Sequence, residues 1–347
     1  MNVLIRADGN ERIGSGHIMR TKSIAAQLKG LGAKVLYALA DERGKRLINN
    51  EFQSVVLSSN YECLDDEINA LSSVIKEQKI KLILLDSYFV TPKYFKELKK
   101  LAKVAYIDDL DAFAYECEAL ISYGAFFDKN EYKARQNLAK KHFLGSEFAP
   151  LRAEFAPLRA QFRNSQKSSK NTQKKQVLLT TGNTDLLGIM PRLLEAFLSD
   201  ESLKNLEFLA ISGAFNEHEN KLLALSAKHK NIKVLKNPEN MAQIMAEADF
   251  VLSAGGSTLY ELASLAKAVI CFSIAANQNN IKSWADTGAM LYAGDAKADS
   301  HSVVAKSLNL LKSLLNDENL AKTLGQKAHF FVDGKGAIRL AKELLSL

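Results

Sequence analysis

Cysteine and proline are scarce in this chain, three and five of its 347 residues. The cysteines, Cys63, Cys117 and Cys271, are odd in number and far apart, with no CxxC pair and no Cys/His cluster. That excludes a disulfide framework and a zinc-finger site. Long hydrophobic runs are missing too: no stretch approaches the roughly 20 apolar residues that span a bilayer. Arg6 and Asp8 interrupt the opening MNVLIRADGN, which therefore does not read as a signal peptide. A soluble cytoplasmic protein is the expectation. The 47% of hydrophobic and 24% of charged residues exclude a disordered or collagen-like chain.

The formal net charge is +7. A basic surplus can mark binding to nucleic acid, membranes or small anions. Here lysines such as Lys96, Lys99, Lys100, Lys228 and Lys230 read as solvated helix faces. No patch interleaves basic and aromatic residues as a nucleic-acid platform does. No nucleic-acid partner, no stable membrane association and a monomeric state are expected.

The length suits two domains of about 100–200 residues each. In the first half, short apolar runs at residues 3–5, 35–39, 82–85, 104–107 and 119–121 alternate with helical patterns. The first such helix runs from about Ile18 to Leu31 and stops at Gly32. Strands that are continuously apolar are buried on both faces, the mark of a parallel sheet covered by helices. The polar segment RNSQKSSKNTQKKQ breaks the pattern and reads as a linker at residues 163–175. The alternation then restarts, with strand-like runs at 177–179, 208–211, 232–235, 250–252 and 268–272, and the chain ends in helices from about His301. The expected fold is α/β, with two Rossmann-like doubly wound domains, 1–162 and 176–347, facing a cleft. Ligands of such sheets bind beyond the carboxyl ends of the strands.

Two loops at such ends carry the strongest signals. RADGNERIGSGHIMR lies between the first strand and the first helix. Gly14 and Gly16 let a ligand approach the backbone, and the helix N-terminus offers N–H groups to an anion. His17 sits at the helix start. A phosphate turn with an incidental histidine is the ordinary explanation, yet a partly accessible histidine there suits a general base, and the helix N-terminus favours its neutral form. The second loop, SAGGSTLYE, opens a helix after the strand at 250–252. Gly255 and Gly256 permit tight approach, Ser257 is a candidate N-cap, and Thr258 lies beside it. These amides suit a diphosphate, and Glu261, one turn on, suits ribose hydroxyls. An ordinary capped helix is the competing explanation.

Two further loops are weaker. TTGNTD, with Asn183, could contact phosphate, but a plain βα loop is the better explanation. Asn277 and Gln278 in ANQNN could donate to a sugar or phosphate, or cap a helix. The pair Asp108 and Asp109 hints at a metal, but further ligands at useful spacing are lacking, and loop hydrogen bonding explains them. The other histidines read as surface or packing residues.

Together these residues resemble the UDP-sugar hydrolases of the pseudaminic acid pathway, a branch related to MurG-like GT-B glycosyltransferases. The resemblance covers nearly the whole chain. It rests on VLIRADGNERIGSGHIMR, LLLDSY, YIDDL and FLGSEFAPLRAEF in the first half, and on NMAQIMAEADFVLSAGGSTLYELASLAKAVI and ANQNNIKSWADTGA in the second. At Ile121-Ser122-Tyr123 the chain departs from the family's expected Ile-Asn. The resemblance implies a GT-B fold and cleavage of UDP-2,4-diacetamido-2,4,6-trideoxy-β-L-altropyranose to UDP and free sugar, with no cofactor and no metal. It implies His17 as the catalytic residue and Arg20, in the same motif, among the substrate-binding residues. Tyr88 and Asn277 would lie near the sugar or diphosphate, Ser257 and Thr258 at the diphosphate, Glu261 at the ribose, and the backbone around Met241 at uracil.

Two rivals stand beside this reading. A GT-B glycosyltransferase would use the same apparatus from Gly255 to Glu261, but would show a membrane-docking patch on its first half, of which the sequence gives no clear sign. A non-catalytic nucleotide-sugar-binding protein would have no use for His17.

Overall fold

The computed structural model describes residues 1–48, 50–164, 174–275, 278 and 281–347. The chain forms two compact units. The first comprises Met1–Ala153 and Gly334–Leu347. Its sheet contains β1 (Asn2–Ala7), β2 (Lys34–Leu39), β3 (Gln53–Val56), β4 (Leu82–Asp86), β5 (Lys103–Ile107), β6 (Ala119–Ser122) and β7 (Lys141–Leu144). All pairings are parallel, in the order β3-β2-β1-β4-β5-β6-β7. The connecting helices are α1 (Gly16–Gly30), α2 (Lys45–Ile48), α3 (Ile68–Glu77), α4 (Pro92–Leu98) and α5 (Lys129–Arg135).

The second unit is Glu154–Asp333. It opens with α6 (Phe155–Asn164). There follow β8 (Gln176–Thr180), α7 (Ile189–Leu198), β9 (Glu207–Ser212), α8 (Glu219–Lys228), β10 (Ile232–Lys236), α9 (Met241–Glu247), β11 (Phe250–Ala254) and α10 (Ser257–Ser264). The unit continues through β12 (Ala268–Ser273), α11 (Lys282–Asp286), β13 (Leu291–Asp295), α12 (Ala296–Asn316) and α13 (Glu318–Phe331). Its sheet is also parallel, ordered β10-β9-β8-β11-β12-β13. Both sheets are therefore doubly wound, and each reverses direction at one point, between β1 and β4 and between β8 and β11. Adjacent βα loops part there and leave room for a ligand.

The domain limits differ from the sequence expectation at both ends. Helix α6 belongs to the second unit, where Arg159 donates to the Ser264 carbonyl at 3.1 Å and lies 2.6 Å from His329 Nδ1. His329 is thus partnered and not a bystander. The last helix, α14 (Gly336–Leu345), belongs to the first unit, where it buries Ala337, Leu340, Ala341 and Leu344 and packs on α1. Most of the expected linker at 163–175 lies outside the described residues.

Strand β1 is buried from Val3 to Ala7, and that stretch is apolar except for Arg6. Burying a guanidinium is tolerable only when it is fully paired. Arg6 donates to Glu67 through Nε at 2.5 Å and Nη2 at 2.8 Å, and also to Asp8. Glu67 in turn accepts from the Tyr94 hydroxyl at 2.6 Å and the Ser59 hydroxyl at 2.7 Å. This network anchors the carboxyl end of β1, where the first candidate loop begins.

Candidate active site

The loop after β1 is short and tightly folded. The Asn10 amide donates to the Gly14 carbonyl at 3.0 Å, and Asn10 Oδ1 accepts from the amides of Arg12 and Ile13 at 2.9 and 3.0 Å. Gly14 has φ of +71°, a conformation in which a side chain would be strained. Helix α1 then starts at Gly16, two residues earlier than the periodicity suggested. Its first turn carries no acidic residue and no side-chain cap bond. Space is open where a Gly16 side chain would stand. These are the conditions under which a helix N-terminus takes an anion.

His17, in that first turn, is buried, contrary to the expected partial accessibility. Its Nε2 has no hydrogen-bond partner among the described residues and lies 3.9 Å from Asp86 Oδ1. The Tyr88 ring packs edge-to-face on the imidazole, with centroids 4.3 Å apart. Burial pushes the imidazole below its ordinary titration range; Asp86 opposes that effect and Arg20 adds to it. An unsatisfied buried ring nitrogen needs an explanation other than packing, because an apolar side chain would fill the space without the desolvation penalty.

Asp86 closes β4 and is itself buried. The register of β1 with β4 sets Ala7 opposite Asp86, so the carboxylate arrives beside the His17 loop. Arg20, one turn along α1, grips it with both arms, Nε to Oδ2 at 2.6 Å and Nη2 to Oδ1 at 2.5 Å. Arg20 Nη1 donates to Asp109 at 3.0 Å and to the Tyr123 hydroxyl at 2.8 Å. Tyr88 donates to the other oxygen of Asp109 at 3.3 Å. Arg20 is therefore occupied inside the protein and is not free to hold substrate. Tyr123, where the chain departs from the family's motif, is one of its partners.

The Asp108–Asp109 pair has two separate tasks. Asp108 accepts from the hydroxyls of Tyr115 and Tyr132 and from the amides of Leu110 and Asp111. It folds the loop after β5, while Asp109 faces Arg20. Among the described residues no group of three or more His, Cys, Asp or Glu side chains could hold a metal ion.

In the second unit, the candidates lie on loops at the carboxyl ends of β8, β10, β11 and β12. Gly256, with φ of +129°, is the N-cap of α10; Ser257 is already helical and so is not the cap. At Gly255 a Cβ would lie 1.4 Å from Ile281 Cδ1, so a side chain there would require Ile281 to turn aside. Gln278 braces this loop, donating Nε2 to the Gly255 carbonyl and accepting from the Ile274 amide, each at 2.8 Å. Its amide oxygen is thus committed to structure. Thr258 and Glu261 are half-buried along α10. Asn183 spends its carbonyl groups on the neighbouring loop, receiving the Phe215 amide at 2.9 Å and the Ala214 amide at 3.3 Å, as a plain βα loop would. Met241 begins α9, half-buried. Asn277 lies outside the described residues.

One consequence concerns stability. Unfolded, His17 titrates in the ordinary range; folded, it titrates lower. Below about pH 6.5 the unfolded chain therefore binds more protons, and stability present above that pH is lost as the pH falls through the folded value. Relative to His17→Gln, the wild type should lose Tm progressively between pH 7.5 and pH 5.5, as read by calorimetry. A parallel pH dependence in the two proteins would contradict the buried neutral imidazole.

Comparison with known proteins bears on both units. The chain is 24% identical over 269 residues to an uncharacterized protein, MJ1062, of Methanocaldococcus jannaschii, covering 75% of this chain but only about half, 53%, of that relative. It is 22% identical to the spore coat polysaccharide biosynthesis protein SpsG of Bacillus subtilis, over 100% of this chain and 98% of that one. It is 26% identical to the UDP-2,4-diacetamido-2,4,6-trideoxy-beta-L-altropyranose hydrolase of Campylobacter jejuni, over 82% and 96%. Among solved structures, Acinetobacter baumannii MurG superposes with a TM-score of 0.66 at 16% identity, covering 100% of both chains. Staphylococcus aureus MnaA, solved with UDP, superposes with 0.65 at 13% identity, covering 99% and 95%. These likenesses show the GT-B type of fold that the sequence led us to expect. Among the described residues, no helix is long and apolar enough to cross a membrane. The family Glycosyltransferase family 28 C-terminal domain matches residues 153–337, just over half of the chain and nearly the extent of the second unit. The chain belongs to that family, whose members of GT-B fold process nucleotide sugars.

Proposed function

We propose that the protein hydrolyses a UDP-linked 2,4-diacetamido-2,4,6-trideoxyhexose to UDP and the free sugar, within pseudaminic acid biosynthesis. The observation that carries this reading is His17, a buried imidazole whose Nε2 has no partner among the described residues, in the first turn of α1, which no side chain caps. In this mechanism Nε2 takes a proton from water as the oxygen attacks C1. The C1–O bond breaks, and its electron pair leaves with UDP, so the anomeric configuration inverts. UDP is a good leaving group, and the charge it gathers is met by loop amides and a helix N-terminus, as in other preorganised sites. The second unit takes the nucleotide and the first performs the chemistry. Nε2 is sealed from solvent here, so a neighbour must turn aside to admit water, and we assign that movement to Tyr88, half-exposed and packed on the imidazole.

The family match and the MurG-like fold favour a second reading, a glycosyltransferase passing the sugar to an acceptor. Release of UDP with water alone separates the two: turnover without any acceptor supports the hydrolase, and turnover only with an added sugar or lipid supports the transferase. A binding protein would release none.

The nucleotide half is tested independently. Glu261→Ala should weaken binding of UDP and of substrate alike, by the ~1.5–3 kcal/mol of a hydrogen bond to a charged group. A ribose contact is present in ground and transition states equally, so the loss should fall on KM more than on kcat. Calorimetric titration with UDP reads it directly, and an unchanged Kd would remove Glu261 from the site.

A further inference from the structure

Arg20 and its two carboxylates surround the candidate base, and the mechanism above gives them no task. Charges and hydroxyls from several elements lie around His17. Arg20 comes from α1, Asp86 and Tyr88 from the end of β4, Asp109 from the end of β5, Asp8 from the end of β1, and Tyr123 reaches in through Arg20. Asp8 is held away by Arg6 and by the Ala40 amide, which it accepts at 2.8 Å. The nearest anion is Asp86, and both of its oxygens are turned to the guanidinium. At 3.9 Å its Oδ1 is beyond hydrogen-bond reach of Nε2 but within ion-pair distance of an imidazolium.

We propose that Arg20 is a positioning residue that governs the proton affinity of His17: it withholds Asp86 from the neutral imidazole while leaving two carboxylates against one guanidinium to receive the imidazolium. Without the grip, Asp86 would close on Nε2 and keep the ring protonated, which disables a base. Without the carboxylates, a buried guanidinium beside the ring would forbid the protonated form altogether. Asp109, the more accessible partner with 24% of its side chain exposed, offsets Arg20 from the far side. The inference rests on the reading of His17 as the base, but its test needs no turnover.

The test is an NMR titration of the His17 imidazole in the full unliganded chain, with the signal assigned by its loss in His17→Gln. Arg20→Lys keeps the charge but loses the two-armed grip, so the midpoint should rise by about half a pH unit or more. Asp109→Asn removes one opposing anion, so the midpoint should fall. These opposite signs are the diagnosis. Loosening the pocket and letting water in would move both midpoints upward, because burial is what holds the imidazole down. Two upward shifts, or none, overturn the inference. Should Arg20→Lys fail to fold, Asp109→Asn decides alone, and a midpoint that stays or rises overturns it. If the shifts appear as expected but His17→Ala retains full activity, it is the hydrolase mechanism that fails, and the coupling among these side chains stands.

Discussion

His17→Ala should lower kcat for UDP release by about 10²–10⁴-fold, the contribution typical of a general base, while UDP affinity stays nearly unchanged. The asymmetry follows from the division of labour proposed above. His17 lies in the first unit's α1 loop, whereas the amides at Gly255 and Gly256 and the Glu261 carboxylate lie in the second. The substitution leaves α1 otherwise intact, because its first turn closes through the backbone, with the Met19 amide on the Ser15 carbonyl at 2.9 Å. Removing a buried imidazole opens a small cavity but also relieves an unsatisfied nitrogen, so little stability should be lost. Measured together, kcat and the Kd for UDP decide the matter. A parallel loss of both would mean that His17 shapes the fold or binds the nucleotide.

Gly336→Ala should destabilise the first unit by about 3 kcal/mol or more, a fall in Tm of roughly 6–12 °C. The chain returns to the first unit at Gly334, just before this glycine, and a Cβ at Gly336 would lie 2.1 Å from the Ala149 carbonyl oxygen and 2.5 Å from the Phe148 carbonyl carbon. Both are backbone atoms, so no rotamer relieves the clash, and α14 must shift as a body. That shift would disturb α1, on which α14 packs and whose first turn holds His17. Gly30→Ala is the control: space is open around it, and the change should be neutral or slightly stabilising. Calorimetry on both variants tests the assignment of α14, and an unchanged Tm for Gly336→Ala would contradict it.

Apart from β10, an edge strand that its apolar Ile232, Val234 and Leu235 made visible, the strands visible in the sequence and those missed differ in position. The interior strands β1, β4, β5, β8, β11 and β12 are buried on both faces, and their continuous apolar runs announce them. The missed strands β3, β7 and β13 are all edge strands. With sequences QSVV, KHFL and LYAGD they need only partial burial, so polar residues are tolerated and the run is broken. The destination of α14 was hidden for another reason: its apolar spacing says that it packs but not on which sheet.

The candidate site was legible in the same uneven way. Glycines beside a helix start, and the histidine among them, are local signals. The grip of Arg20 on Asp86 joins residues 66 positions apart, and no spacing rule reaches that far. A topological argument would have found it. In a sheet ordered 3-2-1-4-5, the ends of β1, β4 and β5 are neighbours, so Asp8, Asp86 and Asp109 had to converge near whatever the first loop carried. Of the three arginines in that stretch, Arg12 is exposed, and Arg6 and Arg20 were the available buried counter-charges.

The most direct test of the central claim is a single turnover series in ¹⁸O-water with UDP-2,4-diacetamido-2,4,6-trideoxy-β-L-altropyranose and no acceptor. The account predicts UDP and free sugar in equal amounts, with the label on the sugar's anomeric carbon and none on UDP, read by mass spectrometry before mutarotation and exchange advance. Label on the β-phosphate would place the attack at phosphorus, and no UDP at all without an added acceptor would mean that water is not the nucleophile. Either result contradicts the hydrolase.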